Sequence, residues 1–134
     1  MINNIQPNVI DKEKFDDAMY KFCKKLTFNA HNYYIKTKMS YRPVYKTAGG
    51  RNFIKVKYFE ANTVDQNGNK IVSKGSICCF VDKNTGDVYK PATWRAPYTK
   101  GNNCVRANIY DPTTFENTDP HGGWLYDNSS FNKK

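Results

Sequence analysis

The stretch Phe80–Pro97, FVDKNTGDVYKPATWRAP, decides how the rest of the chain is read. Phe80-Val81-Asp82 ends one extended run, and Asp87-Val88-Tyr89-Lys90 begins another. The six residues Asp82-Lys83-Asn84-Thr85-Gly86-Asp87 between them are turn formers. Gly86 suits the left-handed position of a hairpin bulge, and Asp82 and Asp87 suit local backbone hydrogen bonds. Pro91 has no N–H to continue a ladder, so the second strand ends there. The segment therefore predicts an antiparallel hairpin. It leaves Trp94 and its cationic neighbours just beyond the sheet.

Upstream the period remains near two. In GSICCFVD, Ile77, Cys79 and Val81 alternate with Cys78 and Phe80, which predicts a strand with Cys78 and Cys79 on opposite faces. Asp65-Gln66-Asn67-Gly68-Asn69 carries the Asn-Gly of a tight hairpin loop. NFIKVKYFEA is the strongest strand signal, with Ile54, Val56 and Tyr58 facing one way and Lys55, Lys57 and Phe59 the other. Ala48-Gly49-Gly50-Arg51 is a turn. In NYYIKTKMS, Tyr33, Ile35, Thr37 and Met39 alternate with Tyr34, Lys36 and Lys38, so a half-buried strand is expected there. YRPVYKT either continues it or forms a short strand, with Pro43 pointing to a sheet edge or a bulge.

One segment has helical period. Phe15, Ala18, Met19, Phe22 and Leu26 line one stripe of VIDKEKFDDAMYKFCKKLTF. Asp11 is the expected N-cap, with Pro7 outside the helix, Glu13 in the first turn, and Lys24 and Lys25 in the last. Beyond Pro97 no period is sustained. RANIYDP is compatible with a short turn of helix. TTFENTDPHGGWLYDNSSFNKK reads as an irregular arm whose Phe115, Trp124, Leu125, Tyr126 and Phe131 pack on its own domain or on a partner. The fold class expected is α+β: an N-terminal helix on a meander of four to five antiparallel strands. Residues 1–111 form the single domain, and 112–134 the C-terminal extension.

A chain of 134 residues fits one domain, and 39% hydrophobic with 15% aromatic content supports a core. No apolar run approaches the ~18 residues of a membrane span. MINNIQPNVI has no signal-peptide pattern, so a soluble, cytoplasmic protein with reduced thiols is expected. The four cysteines (Cys23, Cys78, Cys79, Cys104) and two histidines (His31, His121) lack zinc-ligand spacing, and no metal or cofactor is assigned. Neither Gly49-Gly50 nor Gly122-Gly123 opens a phosphate-binding loop. His121, the one candidate for a mobile base, reads as a solvent-facing loop residue. No catalytic residue is assigned, and the chain is read as a non-enzyme.

The formal charge of +9 is concentrated in residues 20–106, which carry +13, while residues 1–19 and 107–134 each carry −2. Such a field favours polyanions or acidic protein surfaces. Lys36, Lys38, Lys55 and Lys57 fall on alternating positions of two expected strands, with Tyr34 and Phe59 sharing those faces. Cations interleaved with aromatics offer phosphate contacts and stacking platforms together. The plain alternative is a solvated outer sheet face. Trp94 reads first as a lid on the core and second as a platform. Lys90, Arg95, Lys100 and Arg106 are harder to explain by packing, and form a cationic rim around Trp94 to which Asp111 is a candidate partner.

Phe80-Val81-Asp82, Thr85-Gly86-Asp87, Tyr89-Lys90, Ala92 and Trp94-Arg95-Ala96-Pro97, followed by Arg106, Asn108, Ile109 and Asp111, resemble a family of small, uncharacterised proteins of tailed bacteriophages. Ala107 and Tyr110 depart from the glycine and phenylalanine usual in that pattern. The resemblance covers Phe80 to Asp111 and carries no activity. It implies a phage protein acting in the host cytoplasm during infection, or a virion component. The expected partner is nucleic acid. The alternative is an acidic phage or host protein engaged by the C-terminal arm, as in a minor virion component or a host-factor inhibitor.

Overall fold

The computed structural model describes residues 7–60, 66–69, 75–100 and 104–126, with side chains from residue 12 onward. A 30-residue helix, α1 (Pro7–Lys36), packs on a five-stranded antiparallel sheet. The strands are β1 (Pro43–Thr47), β2 (Phe53–Glu60), β3 (Ser76–Asp82), β4 (Asp87–Tyr89) and β5 (Val105–Asn108), in meander order β1-β2-β3-β4-β5. The α+β architecture expected from the hairpin is the one observed.

Helix α1 is longer than its strongest stripe suggests. Pro7 is its first residue, not an outsider; the missing N–H costs nothing at a position with no intrahelical acceptor. Asp11 consequently lies inside the helix rather than capping it, and Lys24 and Lys25 are mid-helix. The stripe of Phe15, Met19, Phe22 and Leu26 continues through Ala30 and Tyr34, all buried. The strand expected at Tyr33–Met39 is therefore absent. Those residues are the last turn of α1 and its exit: Met39 N–H donates to the Tyr34 carbonyl (2.7 Å) and Lys38 N–H to that of Ile35 (3.0 Å), with Lys38 left-handed at φ 63°. This paired arrangement ends a helix and reverses the chain.

The helix also guards the sheet edge. Thr27 Oγ1 accepts from the Tyr45 N–H (3.0 Å), and His31 Nε2 donates to the Pro43 carbonyl (2.8 Å). Two outward groups of edge strand β1 are thus satisfied within the chain. The core lies between α1 and one sheet face, built from Tyr45, Val56, Cys79, Val81, Val88 and Ala107, with Ile54 and Tyr58 beside them.

Two register shifts alter the simple alternation. Val56 pairs with Cys79 but Lys57 pairs with Ile77, so β3 bulges at Cys78. Cys78 then packs on the core together with Cys79, instead of facing away from it. The second shift bulges β5 at Arg106, between Ala107 opposite Val88 and Val105 opposite Tyr89. RANIYDP is thus strand and turn, not helix.

The segment after Asp111 is folded against the domain as far as residue 126. Asp111 accepts from Thr113 N–H (3.2 Å) and caps a 3-10 turn at Pro112–Phe115, a local role rather than pairing with a rim cation. Phe115 meets the edge of Phe22 at 4.9 Å between ring centroids, and Trp124 meets it at 6.4 Å. Leu125, in the short helix α2 (Gly123–Tyr126), is buried in the same core. Phe131 lies outside the described residues, as does Asp65 of the β2–β3 connection.

Candidate nucleic-acid interface

The sheet face away from α1 carries Phe53, Lys55, Lys57 and Phe59 from β2, Phe80 from β3 and Tyr89 from β4. Lys55 is directly across from Phe80, and Phe80 from Tyr89. Phe53 and Tyr89 meet edge to face at 5.8 Å. Phe80 is only 1% exposed although it points away from the helix.

The segment after β4 accounts for that burial. It closes on itself through a Pro91–Pro97 bridge and a bond from Tyr98 N–H to the Lys90 carbonyl (2.8 Å). Thr93 Oγ1 accepts from the N–H of Arg95 and of Ala96, fixing the turn that presents Trp94. Trp94 then sits with Lys55 Nζ 5.0 Å from its ring centre. Lys55 is on β2, two strands away from the loop's origin on β4. The loop must therefore cross β3, above Phe80.

Trp94 is not a lid on the helix-facing core, as first expected; it is 63% exposed. Its ring is flanked by two cations, Lys55 and the Arg95 guanidinium at 4.7 Å. At the base of the loop, Lys90 Nζ lies 4.9 Å from the ring centre of Tyr98 and 4.8 Å from that of Tyr126. Both tyrosines are exposed. The ion pairs among the described residues, Lys12–Asp16 and Lys21–Asp17, are both on α1, so the cations here are held by aromatic faces rather than carboxylates.

Of the expected site residues, Lys55, Trp94 and Arg95 come together, while Lys90 is held by Tyr98 and Tyr126. Lys57 shares the β2 face and is directly across from Lys46 of β1. A like-charge cross-strand pair works against the sheet by some tenths of a kcal/mol, about 0.2–1. Lys100 is exposed at the end of the loop, where its carbonyl accepts from Cys104 Sγ.

Three expectations fail. Lys36 ends α1 and Lys38 occupies the turn after it, so neither lies on a sheet face beside Lys55 and Lys57. Tyr34 is buried between helix and sheet, edge to face with Tyr33 and Tyr41, and Phe59 lies close against Gly75; neither is an open platform. Arg106 is 5% exposed, buried at the β5 bulge instead of standing on a solvent rim. The sequence reading missed Lys46, Tyr98 and Tyr126. Lys46 was legible as the cation in VYKT, but the Tyr126 contact depends on the folding back of the C-terminal segment.

Among the described residues, the buried thiols are shifted away from reactivity. Burial pushes the Cys23 thiol from 9.0 up to about 12, with the neighbouring Cys78 adding to it, and burial raises Cys79 as well. Raised thiols are poor nucleophiles and poor metal ligands at neutral pH. No cluster of three or more His, Cys, Asp or Glu among the described residues is arranged to hold a metal ion. His121 Nε2 is hydrogen-bonded to the Tyr33 hydroxyl at 3.1 Å. No described helix is long and apolar enough to cross a membrane.

Comparison with curated proteins and with solved structures returned no match. A family model does match, over residues 5–127, from just before α1 to just after α2. The match takes in the helix, all five strands, the Trp94 loop and the segment folded back behind them, and so the chain belongs to a family of unknown function, DUF7717.

Proposed function

We propose that this protein binds nucleic acid through the face bearing Lys46, Lys55, Lys57, Lys90, Trp94 and Arg95, without catalysing a reaction on it. The observation that carries the reading is Trp94, exposed on the surface with Lys55 and Arg95 against its ring. An indole is a stacking surface for any base, and adjacent cations are where the connected phosphates need them. Tyr98 and Tyr126 extend the aromatic surface around Lys90. The charge of +13 on residues 20–106 supplies the long-range attraction. From the resemblance in Phe80–Asp111 we infer a phage setting, with action in the host cytoplasm.

The alternative, a protein-docking role for the C-terminal arm, has less to support it. Phe115 and Leu125 are committed to the chain's own core.

Intrinsic fluorescence tests the reading, because Trp94 is exposed while Trp124 is packed against the core. Adding a single-stranded oligonucleotide should quench the Trp94 emission. Trp94→Ala should abolish that signal and weaken binding by about 1–3 kcal/mol, the usual worth of one stacked base. Unquenched emission at saturating oligonucleotide would remove Trp94 from the interface.

A further inference from the structure

Where α1 gives way to β1, a cavity of about 270 Å³ opens between aromatic side chains. Tyr34 comes from the end of α1, Tyr41 from the connection, and Tyr45 and Tyr58 from directly paired positions of β1 and β2. His121 closes it from the C-terminal segment, held by the Tyr33 hydroxyl at 3.1 Å. The walls meet steeply. Tyr34 and Tyr41 stand at 83° with ring centres 5.0 Å apart, and Tyr34 and His121 at 77° and 6.4 Å. At ~30 Å³ per water the space is room for about nine waters, more than a packing defect.

Its chemistry differs from that of the other aromatic sites. Elsewhere the chain's own cations lie over its rings: Lys14 on Tyr110, Lys24 on Tyr20, Lys25 on Phe28, and Lys90 on Tyr98 and Tyr126. Among the described residues, no lysine or arginine lies over Tyr34, Tyr41, Tyr45 or Tyr58, and none lines the cavity. Arg42, next to Tyr41, is turned to the backbone, where Nη1 donates to the Met39 and Tyr41 carbonyls (2.6 and 2.8 Å). Burial raises the phenols of Tyr34, Tyr41 and Tyr45, with Tyr58 adding to each, so they are neutral at physiological pH. Glu60 adds to the rise at Tyr41. It is directly across from Pro43, which lines the cavity, and alternates onto the same strand face as Tyr58.

We propose that this aromatic cage binds an organic ammonium group. Ring faces are the negative ends of aromatic quadrupoles and neutral phenol oxygens are acceptors, so both favour a cation. A phosphate or carboxylate would be desolvated there with no cation to meet it. A neutral alkyl group draws nothing from the ring faces or from Glu60. The volume falls just below the ~300–1,000 Å³ of sites for drug-sized ligands, which suits a single head group. The chain's net charge of +9 opposes a cation at long range, but salt screens that field beyond about 8 Å. Tyr45 and Tyr58 belong to the helix side of the sheet, so the cage is separate from the Trp94 face.

The test uses the full chain labelled at its tyrosine rings, which reads Tyr41 and Tyr58 in the cavity beside Tyr98 and Tyr126 over Lys90. The probes are choline and ethanolamine, a methylated and a primary ammonium. The comparators are 3,3-dimethylbutanol, which has the shape of choline without its charge, and inorganic phosphate. The expected result is a saturable shift of Tyr41 and Tyr58, but not of Tyr98 and Tyr126, with an ammonium probe and with neither comparator. Stronger binding of choline would assign the cage to methylated ammonium, and stronger binding of ethanolamine to a primary one hydrogen-bonded by the phenols. Tyr41→Phe, which keeps the ring, should bind within about twofold of the unaltered chain, and Tyr41→Leu about tenfold more weakly. Tyr41 is half-buried in a connection, and unchanged oligonucleotide binding checks that both variants are folded. No shift with either ammonium at tens of millimolar would overturn the proposal. An equal shift with dimethylbutanol, or one with phosphate alone, would do the same, as would undiminished binding by folded Tyr41→Leu.

Discussion

Gly86 and Asn108 show how residues 22 positions apart make one structural unit. Gly86 sits at φ 80°, and its carbonyl accepts from the Ile109 N–H at 2.9 Å. A Cβ there would stand 2.6 Å from the Tyr110 ring. Asn108 Nδ2 donates to the Thr85 carbonyl (3.0 Å) and to Asp87 Oδ1 (2.8 Å), while its backbone N–H donates to Thr114 Oγ1 (2.9 Å). The Thr85-Gly86-Asp87 turn and the Asn108–Asp111 segment, noted separately in the sequence, therefore lock together. Gly86→Ala combines a left-handed backbone with a blocked ring and should cost about 2–3 kcal/mol, read as a lower urea midpoint at unchanged slope. A second residue-scale prediction concerns Cys23, whose thiol burial raises from 9.0 to about 12. Below pH 9 both folded and unfolded thiols are neutral and stability is full. Between 9 and 12 the unfolded state alone loses its proton, so stability falls by up to about 1.4 kcal/mol per pH unit for that group. Cys23→Ala should lower stability at pH 8 yet flatten its decline between pH 9 and 11, as measured by urea unfolding.

Elements were legible where one face alone is buried. Ile54, Val56 and Tyr58 face the helix as their alternation indicates, and Gly86 takes the left-handed position its turn requires. The stretch Tyr33–Met39 misled because its residues satisfy both periods. Tyr33, Ile35, Thr37 and Met39 alternate, but Ala30 and Tyr34 also continue the four-residue step from Leu26, and burial against the sheet decided for the helix. That error carried Lys36 and Lys38 onto a sheet face they never reach. The bulges at Cys78 and Arg106 were illegible for another reason: an extra residue in one strand is defined by its partner strand. The C-terminal segment looked like an arm because its aromatics have no period, yet single anchors at Phe115 and Leu125 are enough to seat it. Truncation after Asp111 should therefore remove part of the core around Phe22, costing several kcal/mol at about 2–5 per large buried side chain. Loss of a cooperative thermal transition is expected. A truncated chain that melts as sharply as the full one would show that residues 112–126 are dispensable.

At the scale of the whole molecule, the sheet separates the helix-facing core from the exposed aromatic and cationic face around Trp94. Charge alone indicated a polyanion partner, but only the crossing of the Trp94 loop above Phe80 sets Trp94 beside Lys55. The nucleic-acid reading stands on that juxtaposition. Its most direct test is fluorescence anisotropy of a labelled oligonucleotide across a salt series, comparing the full chain with Lys55→Glu/Arg95→Glu. With about five phosphates neutralised by Lys46, Lys55, Lys57, Lys90 and Arg95, log affinity should fall against log salt with a slope near −3.5 to −4.5, and the double variant should bind more weakly with a shallower slope. Absence of binding to DNA and RNA, single- or double-stranded, at low salt would contradict the account, as would a slope and affinity that the charge reversals leave unchanged.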